Sequence, residues 1–137
     1  MDNPRQYPRR SGRGIRIDVD ACIARRPASV PCDACVEVCP ADGLSWSEDS
    51  VEVGTACVTC GRCAAACPAG AIAVDGFDSP ALEPVAVPED LAVECERVPP
   101  RLRRGGALSV PCLGGVTASQ LLELSARGRS AVLIERG

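Results

Sequence analysis

The sequence predicts an α+β protein in two unequal parts: a duplicated, pseudo-twofold βαββαβ half and a small βαβ α/β appendage. Three observations predict it. A cysteine pattern at residues 32–44 recurs 28 positions later at 60–72. A run carrying three prolines and four acids, residues 77–90, then breaks the chain. Beyond it, short apolar runs flank a capped helical segment, the order of a βαβ unit. At 137 residues the chain can bury one modest core but not line a large catalytic cleft.

In chain order, residues 1–14 read as a basic tail. No apolar segment follows Met1 or Arg9-Arg10, and no stretch approaches the roughly 20 apolar residues of a membrane span, so a cytoplasmic protein without a membrane span is expected. Ile15–Val19 reads as a strand leading to Cys22. Residues 23–31, with Arg25-Arg26-Pro27 and Val30-Pro31, should loop out. A cysteine loop at Cys32–Cys39 then precedes strands at Leu44–Trp46 and Val51–Val53. A second loop, Cys57–Cys67, precedes a strand at Ile72–Val74. Gly54, Gly61, Gly70 and Gly76 are expected to serve turns and close approach to sulfur, and Trp46 to cover apolar surface beside a cysteine loop. Residues 78–90 form a linker, and 91–137 the appendage. There, Leu91–Glu94 and Ala107–Val110 are strand-like, ending at Cys95 and at Pro111-Cys112. Thr117 and Gln120 form a T-x-x-Q capping box, Gly128 stops the helix, and Ala131–Ile134 closes with a strand. Gly114-Gly115 lacks the spacing of a dinucleotide fingerprint and reads as a turn. Residues 96–106 are few for a parallel crossover, so the pairing of the two strands before them and after them is open.

Composition removes whole classes of chemistry. There is no histidine, and all fifteen basic residues are arginine. Histidine acid/base catalysis, Cys2His2 zinc sites, a P-loop lysine and Schiff-base chemistry are therefore excluded. Tyr7, Trp46 and Phe77 are too few to stack single-stranded bases. The net charge of −3 is segregated: residues 31–95 hold twelve acids against Arg62 alone, while both flanks are basic. No continuous basic surface for nucleic acid results. An acidic middle instead favours docking to a basic protein partner and, beside a metal cluster, a low reduction potential.

Ten cysteines remain to be explained. Cys57-x2-Cys60-x2-Cys63-x3-Cys67-Pro68 is a complete C-x2-C-x2-C-x3-C-P run. Cys32, Cys35, Cys39 and Pro40 repeat most of it. The first copy has Ser29 where the second has Cys57, but Ala21-Cys22 matches Ala56-Cys57, as though seven residues were inserted after Cys22. Three cysteines in one tight loop can place sulfurs on three corners of a cube, while the fourth, before proline, leaves in another direction. A zinc ribbon would leave both Cys-Pro pairs unexplained.

These motifs make residues 15–77 resemble a bacterial-type ferredoxin, a ferredoxin-like two-cluster domain. The resemblance implies two [4Fe-4S] clusters, one held by Cys57, Cys60, Cys63 and Cys39, the other by Cys32, Cys35, Cys67 and Cys22. If the loop after Cys22 cannot return it, that second set has three thiols and a [3Fe-4S] or labile cluster. The implied function is single-electron transfer as a carrier or a subunit of a larger oxidoreductase, without a catalytic site of its own. Residues 95–135 resemble the small α/β segment of iron–sulfur subunits in hydrogenase and heterodisulfide-reductase-type complexes. So small a segment is expected to pack on a partner, or the chain to be a shortened form. Cys95 and Cys112 are candidate redox thiols, giving an alternative function as a cluster-fed thiol/disulfide enzyme component; equally, they are small buried hydrophobes.

Overall fold

The computed structural model describes residues 14–25, 31–48, 50–75, 77, 90–128 and 130–134, with backbone alone for 90 and 130–134. Residues 1–13 of the basic tail, Gly76, most of the linker and residues 26–30 of the insertion lie outside them.

The first half runs β1 (Ile15–Ile17), α1 (Ala34–Glu37), β2 (Leu44–Trp46), β3 (Val51–Val53), α2 (Arg62–Ala66) and β4 (Ile72–Val74). Its helices are single turns inside the cysteine loops. The first strand pairs antiparallel with the last, Ile15 opposite Val74 and Ile17 opposite Ile72. The middle pair, β2 and β3, forms a separate antiparallel ribbon with Leu44 opposite Val53. Between the two ribbons lies a small core of Cys35, Leu44, Val51, Cys63 and Ile72. Two of its five buried residues are cysteines. Trp46, at the end of β2, is 43% exposed.

The second half has β5 (Asp90–Cys95), β6 (Leu108–Val110), α3 (Ala118–Ala126) and β7 (Ser130–Ile134). Asp90, assigned from sequence to the linker, starts β5 and pairs with Ser130. All three strands are parallel, in the order β6-β5-β7. The crossover from β5 to β6 achieves this with no α-helix. A 3-10 turn at Pro100–Leu102 reverses it. Arg103 ties it down, donating to the carbonyl oxygens of Val98 (2.9 Å) and Glu96 (2.7 Å). Glu94, fully buried on the central strand, accepts from the Arg104 amide at 2.9 Å. These charge-assisted bonds hold in a compact loop what a crossover helix otherwise provides. The capping box forms as written: Thr117 Oγ1 accepts from the Gln120 amide and Gln120 Oε1 from the Thr117 amide.

One core joins the halves. Val74 and Phe77 pack with Leu91, Val93, Val110 and Leu124, and Ile15 and Ala64 lie against them. The Gln120 side chain also donates to the Phe77 carbonyl at 3.4 Å. Leu91 is 2% exposed at the centre of this contact. Leu91→Ala is expected to destabilise the protein by about 2–5 kcal/mol. Denaturant unfolding should show both halves losing stability together; a change confined to the parallel sheet would contradict a shared core.

Candidate metal centres

The repeat is visible in local geometry. In the first copy α1 begins at Ala34 and β2 at Leu44; 28 positions on, α2 begins at Arg62 and β4 at Ile72. Cys35 and Cys63 occupy equivalent places in these helices, and both are buried. After each Cys-Pro pair the chain turns through a left-handed residue, Asp42 (φ 49°) in one copy and Gly70 (φ 63°) in the other. Glycine and aspartate both tolerate that conformation. The turn aims the next amide back at the sulfur: Gly43 N–H donates to Cys39 Sγ at 3.2 Å, and Ala71 N–H to Cys67 Sγ at 3.3 Å. Thr59, also left-handed, donates to Cys57 Sγ at 3.4 Å.

One pocket is lined by Cys22, Cys32, Cys35 and Cys67, with Ile17 and Ile72 among its apolar walls. Cys67 thus joins the first cysteine loop. Cys22 reaches the pocket through a turn built on Asp18, whose carboxylate accepts from the amides of Asp20 (3.0 Å) and Ala21 (3.2 Å). A 3-10 turn at Ile23–Arg25 follows, closed by Arg25 N–H on the Cys22 carbonyl. Burial raises the Cys35 thiol pKa; the amides of Cys35 and Val36 oppose this, and Cys32 and Cys67 add to it.

The other cysteines gather around α2. Burial pushes the Cys63 thiol from 9.0 up to about 12, and Cys60, Cys57 and Cys39 act on it in the same direction. Cys60 is also raised, first by burial, then by Cys112, Cys39 and Cys57. Cys39 comes from the first loop, and Gly43 explains how it meets the second. A Cβ at Gly43 would lie 2.6 Å from the Cys57 Cα, so only glycine lets the two backbones touch there.

All ten cysteines are free thiols. Among the described residues no three Cys, Asp or Glu side chains converge as a single metal ion requires. A cubane cluster differs in needing its thiolates spread around a body rather than aimed at a point. The donor chemistry fits such a group: two sets of four thiols, partly shielded, with amides directed at three of the sulfurs.

Cys95 and Cys112 both stand at the carboxyl edge of the parallel sheet, where Cys95 lies opposite Val110. The Cys95 thiol donates to the Pro111 carbonyl at 3.6 Å and accepts from the Arg97 amide at 3.5 Å. Cys112 instead opens the turn Leu113–Gly115, whose Gly115 packs against the Cys60 carbonyl. Asp18, Asp42 and Gly43 were not singled out from sequence. The recurrence of Cys-Pro-Ala four residues before Gly43 and Ala71 is the signal that could have found the turn.

Residues 30–71 match a family model described as a 4Fe-4S dicluster domain. That match supports a ferredoxin-type iron–sulfur domain and implies two [4Fe-4S] clusters. Cys22, Cys95 and Cys112 lie outside it. No curated protein and no solved structure matches the chain. Among the described residues no helix is long and apolar enough to cross a membrane.

Proposed function

We propose that this protein is a single-electron carrier, or a dedicated subunit of a larger cytoplasmic oxidoreductase, with two [4Fe-4S] clusters in a pseudo-twofold arrangement. One cluster is held by Cys22, Cys32, Cys35 and Cys67, the other by Cys39, Cys57, Cys60 and Cys63. The carrying observation is the crossing of the two loops: Cys67 shares a pocket with Cys22, Cys32 and Cys35, while the turn after Cys39 packs at Gly43 on the Cys57 backbone. Each cluster, when bound, accepts and releases one electron.

The chain's own residues set the terms of that exchange. Amides of Gly43, Thr59 and Ala71 donate to cysteine sulfurs, and the sequence of residues 31–95 carries twelve acids against one arginine. The acidic surface steers a basic redox partner and gives an association rate that falls with salt. Nucleic acid is not a partner on this reading. The parallel sheet, in the role suggested by its resemblance to hydrogenase and heterodisulfide-reductase-type segments, is the part that meets the larger complex.

A spectroelectrochemical titration tests the function. One-electron reduction of two centres at potentials on the negative side is expected; a clearly positive midpoint, or no reducible centre, would count against it. Cys22 has its own test. Cys22→Ser should lower iron from about eight to about seven per chain and produce a [3Fe-4S] signal at low temperature. Unchanged iron and spectra would remove Cys22 from the ligand set.

A further inference from the structure

The two cysteine loops repeat each other in sequence, yet the turn after β6 meets the second of them. Gly61 lies between Cys60 and Cys63 in the second copy; 28 positions earlier its counterpart is Asp33. Asp33 is exposed, with φ −125°. Gly61 is buried and left-handed, with φ 80°. It is buried against Val74 and the turn Leu113–Gly115: a Cβ on Gly61 would lie 3.1 Å from Val74 Cγ2 and 3.5 Å from the Gly115 Cα. A Cβ on Gly115 would lie 2.3 Å from the Cys60 carbonyl oxygen and 3.1 Å from the Gly61 Cα. Two facing glycines therefore let backbone rest on backbone.

The turn is itself held in place. Leu113 and Val116 pack on the shared core, as does Ala64 of α2, while α1 contributes none of the described residues to that core. The carbonyls of Cys112 and Leu113 accept from the amides of Gly115 and Val116 at 2.9 and 3.1 Å. Gly115 is buried, whereas Gly114 is exposed, and a Cβ on Gly114 would meet the Arg62 side chain at 3.0 Å.

We propose that Gly115 is a positioning residue for electron transfer: it seats the Leu113–Gly115 turn as a cover on the second cysteine loop, and so makes the two clusters unequal. The inference rests on the two-cluster reading above. Reduction adds one negative charge to a cluster, and a cover that keeps water from the loop makes that charge costlier to hold. The cover therefore lowers the potential of the second cluster. The first loop, with Asp33 in solvent, has no such cover from this turn.

The test is a spectroelectrochemical titration of the full, anaerobically loaded chain, with midpoints assigned by comparison with Cys63→Ser, which retains the first cluster. Gly115→Ala pushes a methyl group against the Cys60 carbonyl. Its expected result is a higher midpoint for the second cluster, with the first unmoved and about eight irons kept. G115A/C63S should match Cys63→Ser alone. Leu113→Ala loosens the turn without an overlap and is expected to shift the same midpoint the same way; it carries the test where Gly115→Ala fails to load. Gly114→Ala, whose methyl group meets a flexible side chain, should leave both midpoints in place. The positioning role is overturned if both midpoints move together, if neither moves, or if Gly114→Ala shifts the second as far as Gly115→Ala does. It is also overturned if Gly115→Ala and Leu113→Ala both lose their clusters, the mark of a contact needed only for folding. A wild-type chain without two reducible centres would instead sink the two-cluster reading, and this inference with it.

Discussion

Stripping iron from the reduced protein with a chelator is expected to unfold residues 15–77. Ordering each residue's backbone costs about 1–2 kcal/mol, and a fully buried aliphatic side chain returns about 1.5–3 kcal/mol. Among the described residues, the fully buried part of the core between the two small ribbons is Leu44, Val51 and Ile72 with Cys35 and Cys63, and Ile15, Ile17, Val36 and Val38 pack against it partly buried. Too few apolar groups are present to hold two cysteine loops in place, so metal–thiolate bonds must supply the difference. Burial keeps the Cys35 and Cys63 thiols neutral without metal, so loading releases their protons. The parallel sheet should weaken too, because Val74 and Phe77 belong to its core. Far-UV circular dichroism and amide dispersion check this: loss of ordered signal supports it, and spectra unchanged by chelation contradict it.

The second large effect is expected from Cys63→Ser. This thiol sits in α2 and is 7% exposed. A serine hydroxyl is a far poorer iron ligand than thiolate at a site that cannot admit a substitute. Iron should fall from about eight to about four per chain, with one cluster retained. The survivor is the cluster whose pocket is lined by Cys22, Cys32, Cys35 and Cys67. Cys39→Ser should give the same loss although Cys39 lies in the other loop, as the crossed ligand sets proposed above require. Retention of all iron in Cys63→Ser, or loss of both clusters, would contradict this partition.

The cysteine repeat, the strands beside it and the capped helix were legible because each is a local signal. Spacing reveals a loop that can hold three sulfurs, and T-x-x-Q marks where a helix starts. What stayed hidden depends on contacts between distant residues. Nothing in the sequence around Gly43 says that it touches Cys57, or that Gly115 touches Cys60. Asp42 adopts a left-handed turn that glycine fills in the second copy, so composition pointed to Gly70 and passed over its counterpart. The parallel pairing of β5 with β6 was open for a similar reason. It depends on Arg103 and Glu94 fastening the connection, and charged residues in a loop carry no periodic signature.

The central claim is most directly tested by iron and acid-labile sulfide analysis of the anaerobically purified chain, with low-temperature electron paramagnetic resonance of its reduced form. The account predicts about eight irons and about eight sulfides per chain, with the signal of two interacting [4Fe-4S] centres. A folded, colourless protein holding zinc or no metal would contradict it.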